Sequence, residues 1–220
     1  MAVLDPVRAR VLAVRTIAAI DRDLAAKLAL GPGHASVGLL TCDIDDACHV
    51  GIDHATKVAQ VEVVYARSFY AGARHASGPL SGEILAILAG PDPGEVEAGL
   101  AAAIAHIRDE ALWYSANDDG TLAFFPHLVP RSGLHLSRLA GVAPGEPLAY
   151  LVAPPLEGTF ALDAALKAAD VRIAQYFPPP SETNYTGALL TGSLAACTAA
   201  CAAFQRAVLD VACRPLAITW

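Results

Sequence analysis

Residues Ile52–Val63 read IDHATKVAQVEV, and the pattern returns 110 residues later, half a chain away, as LDAALKAADVRI from Leu162 to Ile173. Asp53 aligns with Asp163, Ala55 with Ala165, Lys57 with Lys167, Ala59 with Ala169, Val61 with Val171 and Val63 with Ile173. Repetition at a fixed offset marks a duplicated structural unit. The flanks repeat more loosely: Val37–Leu40 corresponds to Leu148–Val152, and GEILAILAG from Gly82 to NYTGALLTG from Asn184. An Ala-rich segment follows each. Shared order across strand, helix, strand, strand and helix predicts two domains of one kind, joined near residue 110.

The local chemistry of each copy is coherent. Asp53 and Asp163 stand where a helix N-cap would accept an otherwise unpaired amide. Val61, Val63 and Tyr65, and again Val171 and Ile173, alternate with polar Glu62 and Arg172, the period-2 signal of a strand with one buried face. Asp92-Pro93-Gly94-Glu95 is a capping box with Pro at the first helical position, which predicts a helix to about Arg108. Leu100, Ile104 and Ile107, and in the second copy Phe204, Val208 and Val211, carry the bulk of the second helices. Each unit therefore reads as helices on one face of a mainly antiparallel sheet, an α/β (α+β) sandwich of ferredoxin-like form. Leading segments, Val3–Leu30 and Leu122–Ala140, precede the two cores. The boundary falls around Glu110–Asp119, giving domains of 1–112 and 113–220, with Asn117-Asp118-Asp119-Gly120 supplying a turn.

Composition narrows the class. A chain of 220 residues with 55% hydrophobic content can bury a sizeable core. The formal charge of -7, from 15 basic and 22 acidic residues, provides no basic stripe, so nucleic acid and anionic membranes are not expected partners. Arg8, Arg10 and Arg15 interrupt the apolar N-terminal stretch, unlike a signal peptide, and a cytosolic protein is expected. Five cysteines without a CxxC pair predict reduced, mostly buried thiols. The uncharged run Tyr185–Phe204 is long enough to raise a membrane span. Its Thr, Gly and Ser residues predict instead a strand over Gly187–Thr191 and a helix from Ser193 to about Cys213.

The stretch Cys42–His54, CDIDDACHVGIDH, is the densest in reactive side chains. It lacks the CxxC or HExxH spacing of a metal site. It reads as a strand exit, an acidic loop holding Asp43, Asp45 and Asp46, and the cap at Asp53. A metal-dependent enzyme using Asp43, Asp45, His49 and His54 is the alternative. No GxSxG elbow or phosphate-binding glycine loop is present, and His75, His106, His127 and His135 are scattered. Two long segments, Arg67–Ser81 and Tyr176–Thr186, follow the repeated strand in each copy, where functional loops are usual.

VEVVYARSFYAGARH, GEILAILAGPDP, AYLVAPPLEGTFALDAALKAADV and PPPSETNYTGALLTGS together resemble the tandem-domain bacterial microcompartment shell proteins of ethanolamine utilization, in order over essentially the whole chain. The resemblance implies two circularly permuted shell domains in a non-enzymatic protein, with no catalytic residue, cofactor or metal. It implies homotrimers shaped like pseudohexagons that tile beside other shell proteins into a microcompartment shell within the cytoplasm. A gated central pore and ethanolamine-binding small pores are implied as well. By the same resemblance Asp45, Glu83 and Thr183 contact ethanolamine, Trp113 walls the site with a cation-π face, and Phe69, Tyr70, Gly72, Pro179, Ser181, Glu182 and Asn184 are candidate pore-loop residues. An ammonium and a hydroxyl two carbons apart call for a carboxylate and a neutral hydrogen-bonding group. A shell protein of another microcompartment, such as one for propanediol, is the alternative within the class; a neutral diol would not select for carboxylates.

Overall fold

A computed structural model describes residues 2–71 and 77–217. The elements in chain order are β1 (Pro6–Arg8), β2 (Val11–Ile17), α1 (Arg22–Lys27), β3 (Ser36–Cys42), α2 (Asp45–Val58), β4 (Glu62–Ser68), β5 (Ile84–Gly90), α3 (Pro93–Asp109), β6 (Leu112–Ser115), β7 (Ala123–Val129), α4 (Leu134–Ala140), β8 (Leu148–Ala153), α5 (Pro155–Ala168), β9 (Val171–Phe177), β10 (Thr186–Gly192) and α6 (Leu194–Cys213). The chain divides into two compact units. The amino-terminal unit holds Arg8–Ala111 and Gly133–Arg138; the carboxy-terminal unit holds Met1–Val7, Leu112–Ser132 and Leu139–Trp220.

The amino-terminal unit is a four-stranded sheet in the order β2-β3-β5-β4. Every neighbouring pair in it is antiparallel. Helices α2 and α3 pack against each other and against β3 and β5, burying Leu40, Ile52, Ile84, Leu88 and Ile107 completely. The carboxy-terminal unit has a six-stranded sheet, β1-β6-β7-β8-β10-β9. Its last four strands repeat the order of the first unit, and α5 and α6 pack on them around Phe124, Leu151, Leu190, Phe204 and Val208. The small helices α1 and α4 occupy the same place in the two repeats, between the first and second of the four shared strands. The duplication read from sequence is thus a duplication of topology.

Local signals account for the second helices. Asp92 Oδ1 accepts the Glu95 amide at 3.0 Å, with Pro93 opening α3. The Glu95 carboxylate turns to the Gln60 amide instead, at 2.6 Å. Ser193 caps α6 by accepting the Ala196 amide at 3.1 Å. Helix α6 has the length and apolar composition to cross a membrane. Its Cys197, Ala200, Phe204 and Val208 are buried in the core of the carboxy-terminal unit, and the preceding strand and junction fall where the polar residues interrupt the run. Four cysteines are buried free thiols and Cys213 is an exposed one.

Three sequence expectations are corrected. First, Asp53 and Asp163 are not N-caps: α2 begins at Asp45 after Ile44, and α5 at Pro155 after Pro154, so both aspartates lie inside their helices. Each pairs with the lysine four residues on, Asp53 with Lys57 at 3.3 Å and Asp163 with Lys167 at 2.6 Å, which is the physical content of the repeated D-x-x-x-K. The helices extend through Gly51 and Gly158, a choice that costs about 1 kcal/mol against Ala in isolation. Close approach requires those glycines: a Cβ at Gly51 would lie 2.4 Å from Ile107 Cγ1, and one at Gly158 would lie 2.5 Å from Thr186 Cγ2. Asp45 and Asp46 consequently begin a helix rather than occupying a loop.

Second, Tyr65 and Ile173 do not share the face of buried Val63 and half-buried Val171; both are exposed. The register of β4 on β5 slips between Val63 and Tyr65, and that of β9 on β10 between Ile173 and Gln175. An extra residue in one strand turns the side chains that follow to the other face, which accounts for Tyr65 after Val64 but not for Ile173, which precedes Ala174; the two extra residues are again 110 apart. Third, residues 117–120 do not join the units. The Gly120 amide donates to the Asn117 carbonyl, closing the turn between β6 and β7 inside the carboxy-terminal unit.

Candidate functional site

Three acidic residues of the amino-terminal unit, Asp43, Asp45 and Glu83, lie where β3 ends, α2 begins and β5 begins. Asp43 lies between β3 and α2, clamped by Arg10, whose amide and Nε donate to its two carboxylate oxygens at 2.6 and 2.8 Å. Asp45 is the first residue of α2, where free amides at the helix N-terminus favour negative charge. It is only 7% exposed. Among the described residues its hydrogen bond is from its neighbour's amide, Asp46 N to Oδ1 at 3.0 Å, and no lysine or arginine pairs with it.

Glu83 completes the group just before β5. Its amide donates to the Cys42 carbonyl at 2.8 Å, and its carbonyl accepts the Phe69 amide at 2.9 Å. Burial, then the charges of Asp45 and Asp43, push its carboxyl up to about 7, against a lowering hydrogen bond from the Asp45 backbone. The same surroundings act on the neighbouring thiol: burial raises Cys42 to about 12.

Gly82 makes this approach possible. Its φ of +59° is left-handed, and a Cβ there would sit 2.0 Å from the Cys42 carbonyl oxygen. Sequence reasoning passed over Gly82 and Arg10 as site-forming residues. The signal available for the first was a glycine directly before a carboxylate at the start of an apolar strand; for Arg10 there was none, because its partner is 33 positions away.

Trp113 and Thr183 belong to the carboxy-terminal unit. Trp113, on β6, is buried with its Nε1 lacking a hydrogen-bond partner among the described residues. It stacks on Phe125 at 5.6 Å between ring centroids and meets the edge of Tyr185 at 5.1 Å. Thr183 is buried in the loop from β9 to β10, its hydroxyl 3.4 Å from that of Ser181. Ser181 Oγ also accepts the Tyr185 amide at 3.2 Å. Pro179, Glu182 and Asn184 of this loop are exposed. Of the other loop, Phe69 is half-buried and Tyr70 exposed; Gly72 and His75 lie outside the described residues.

The residues of the metal-dependent alternative are engaged separately. Asp43 holds Arg10. His49 Nδ1 is 2.9 Å from His135 Nε2, and its Nε2 3.2 Å from Ser68 Oγ; His54 stacks on His106 at 4.4 Å. Among the described residues no three His, Cys, Asp or Glu side chains converge as a metal site. Asp53, fully buried, instead accepts the amides of Gly133 and Leu136 at 2.7 and 2.8 Å, while Thr56 Oγ1 accepts that of Leu134 at 2.9 Å. These two side chains of α2 cap the start of α4.

Residues 36–116 match the BMC domain family. The chain is 54% identical to the bacterial microcompartment shell protein EutL of Escherichia coli (strain K12), over 98% of this chain and 99% of that one. It is 53% identical to EutL of Clostridium perfringens (strain 13 / Type A), over 96% and 98%. Among solved structures, the ethanolamine utilization protein EutL from Leptotrichia buccalis C-1013-b superposes with a TM-score of 0.95 at 53% identity, covering 99% of this chain and all of that one.

Proposed function

The chain belongs to the EutL family of bacterial microcompartment shell proteins, and from that premise we propose that it forms homotrimeric, pseudohexagonal tiles that bind ethanolamine and carry a gated central pore. Its role is structural rather than enzymatic, and its place is the microcompartment shell within the cytoplasm, among other shell proteins. The tandem domains are assigned to 1–112 and 113–220. The loops after β4 and after β9, at equivalent places in the two repeats, are assigned to the central pore, with Phe69, Tyr70, Gly72, Pro179, Ser181, Glu182 and Asn184 as the residues to follow.

The observation that carries the ligand reading is Asp45, a buried carboxylate with no cationic partner among the described residues. An uncompensated buried charge is costly, and an ammonium would relieve it. Glu83 would supply a second acceptor, Thr183 a hydroxyl and Trp113 an aromatic wall. A relative named for ethanolamine utilization and a carboxylate pair both favour this amine over a neutral diol. Calorimetry of Asp45→Ala against the parent protein is the test. The variant should lose at least tenfold in ethanolamine affinity, the loss of one charged hydrogen bond of about 1.5–3 kcal/mol; equal affinity excludes Asp45 as a main contact.

A further inference from the structure

Trp113 stands apart from the other rings of the carboxy-terminal unit. In the pairing of β6 with β7, Tyr114 lies opposite Phe124, and both belong to the side of the sheet that packs under α5 and α6. Side chains alternate along a strand, so Trp113 and Phe125 project from the other face. There Trp113 is 4% exposed, stacked on Phe125 and met by the edge of Tyr185. Phe125 is fixed in its turn by stacking on His127 at 5.0 Å and by an edge contact with Tyr150 at 5.6 Å. Close packing of this kind leaves the indole no freedom to turn and find a partner. Buried indole N–H groups are ordinarily hydrogen-bonded, yet this Nε1 has no acceptor among the described residues. The buried Ser132 hydroxyl lacks a partner too, but a hydroxyl both donates and accepts and so selects no chemistry. An indole N–H only donates. Whatever completes it must present a lone pair, and that distinguishes the two ends of the ligand: an ammonium has none to offer, whereas a hydroxyl oxygen does.

We propose that Trp113 is the specificity-determining residue for the hydroxyl of the ligand: its Nε1–H donates to that oxygen, and the protein thereby separates a hydroxyalkylammonium from a plain alkylammonium of the same size. The inference rests on the ethanolamine reading and gives the edge of the indole a role besides that of aromatic wall. Thr183, whose hydroxyl both donates and accepts, makes no such distinction. Giving a buried, unpaired donor its acceptor raises affinity by about 5- to 150-fold. Propylamine, in which a methyl replaces the hydroxyl, leaves the donor unpaired, and a polar group left unpaired in this way is what lets a protein reject an analogue lacking a hydroxyl.

The test is titration calorimetry of the full chain with ethanolamine and with propylamine, on the parent protein and on Trp113→Phe, which keeps an aromatic ring and removes the donor. The parent should favour ethanolamine by at least about tenfold, and in Trp113→Phe the ratio of the two affinities should fall toward one. A second readout follows the donor itself. The chain has two tryptophans, so Trp220→Phe identifies the indole N–H signal of Trp113 in a nitrogen–proton correlation spectrum. That signal should move downfield on saturation with ethanolamine, as a donor gaining an acceptor does, and should not do so with propylamine; this and the parent's affinity ratio decide the matter even if Trp113→Phe fails to fold. Equal affinity of the parent for the two amines, an indole signal that ethanolamine does not move, or a loss of both affinities by the same factor in Trp113→Phe overturns the inference and leaves the ligand reading intact. Absence of binding of either amine by the folded parent protein overturns the ligand reading itself.

Discussion

Asp53 offers the sharpest structural prediction, because its carboxylate has no exposure and two buried amides depend on it. In Asp53→Ala the Gly133 and Leu136 amides lose their acceptor, and Lys57 loses its partner at 3.3 Å. Each hydrogen bond to a charged group is worth about 1.5–3 kcal/mol, so the pair sets a loss of about 3–6 kcal/mol, overlapping the about 3–5 kcal/mol found when one partner of a buried ion pair is removed. Asp163→Ala is the control supplied by the repeat itself. It removes an exposed ion pair with Lys167 and should cost about 0–1 kcal/mol. Urea unfolding at one fixed protein concentration measures both; with a slope of about 2 kcal/mol/M, Asp53→Ala should lower the midpoint by about 1.5–3 M. Hydrogen exchange at Gly133 and Leu136 should accelerate with it. Equal midpoints for the two variants, or slow exchange retained at both amides, would refute the role given to Asp53.

Other substitutions probe the acidic site and the half-buried His135. Gly82→Ala places a side chain at φ +59° against the Cys42 carbonyl; left-handed strain of about 1–2 kcal/mol and overpacking of about 1–3 kcal/mol should sum to about 2–5 kcal/mol by urea unfolding. Gly141→Ala, at φ +63° with open space around it, should show the strain alone. His135 is pushed down from 6.5 to about 3 by burial, then by His49 and Arg138. Its folded site therefore excludes a proton that the unfolded chain accepts, and stability present above pH 6.5 should fall by up to about 1.4 kcal/mol per pH unit as pH drops toward 3. Glu83 contributes with the opposite sign between about 7 and 4.5, so the measurement is the difference between the parent protein and His135→Gln. A difference independent of pH from 7 to 4 would contradict a neutral, half-buried His135.

The fold was legible where the sequence repeats itself. Strand, helix and sheet order follow from IDHATKVAQVEV and LDAALKAADVRI because each copy must bury the same faces. Helix starts were misplaced because Asp53 and Asp163 carry cap-type side chains; that the helices run on through Gly51 and Gly158 depends on the packed Ile107 and Thr186, and that missing Cβ is a contact property, invisible to local propensity. The bulges at Val64 and Ala174 escaped for a related reason, since alternation counts residues along one strand and a bulge is defined against its neighbour. Within the site, Asp45 and Glu83 could be named by resemblance alone. Their grouping with Asp43, the clamp from Arg10 and the turn at Gly82 join residues distant in sequence, and no spacing rule announces them.

Assembly is the most direct expression of a shell-tile role. Sedimentation of the purified chain, followed by electron microscopy of the concentrated protein, should give particles of three times the 22.7 kDa chain mass that pack into flat sheets with hexagonal order. A protein that remains monomeric at high concentration and forms no sheets would contradict the claim that it is a trimeric shell tile.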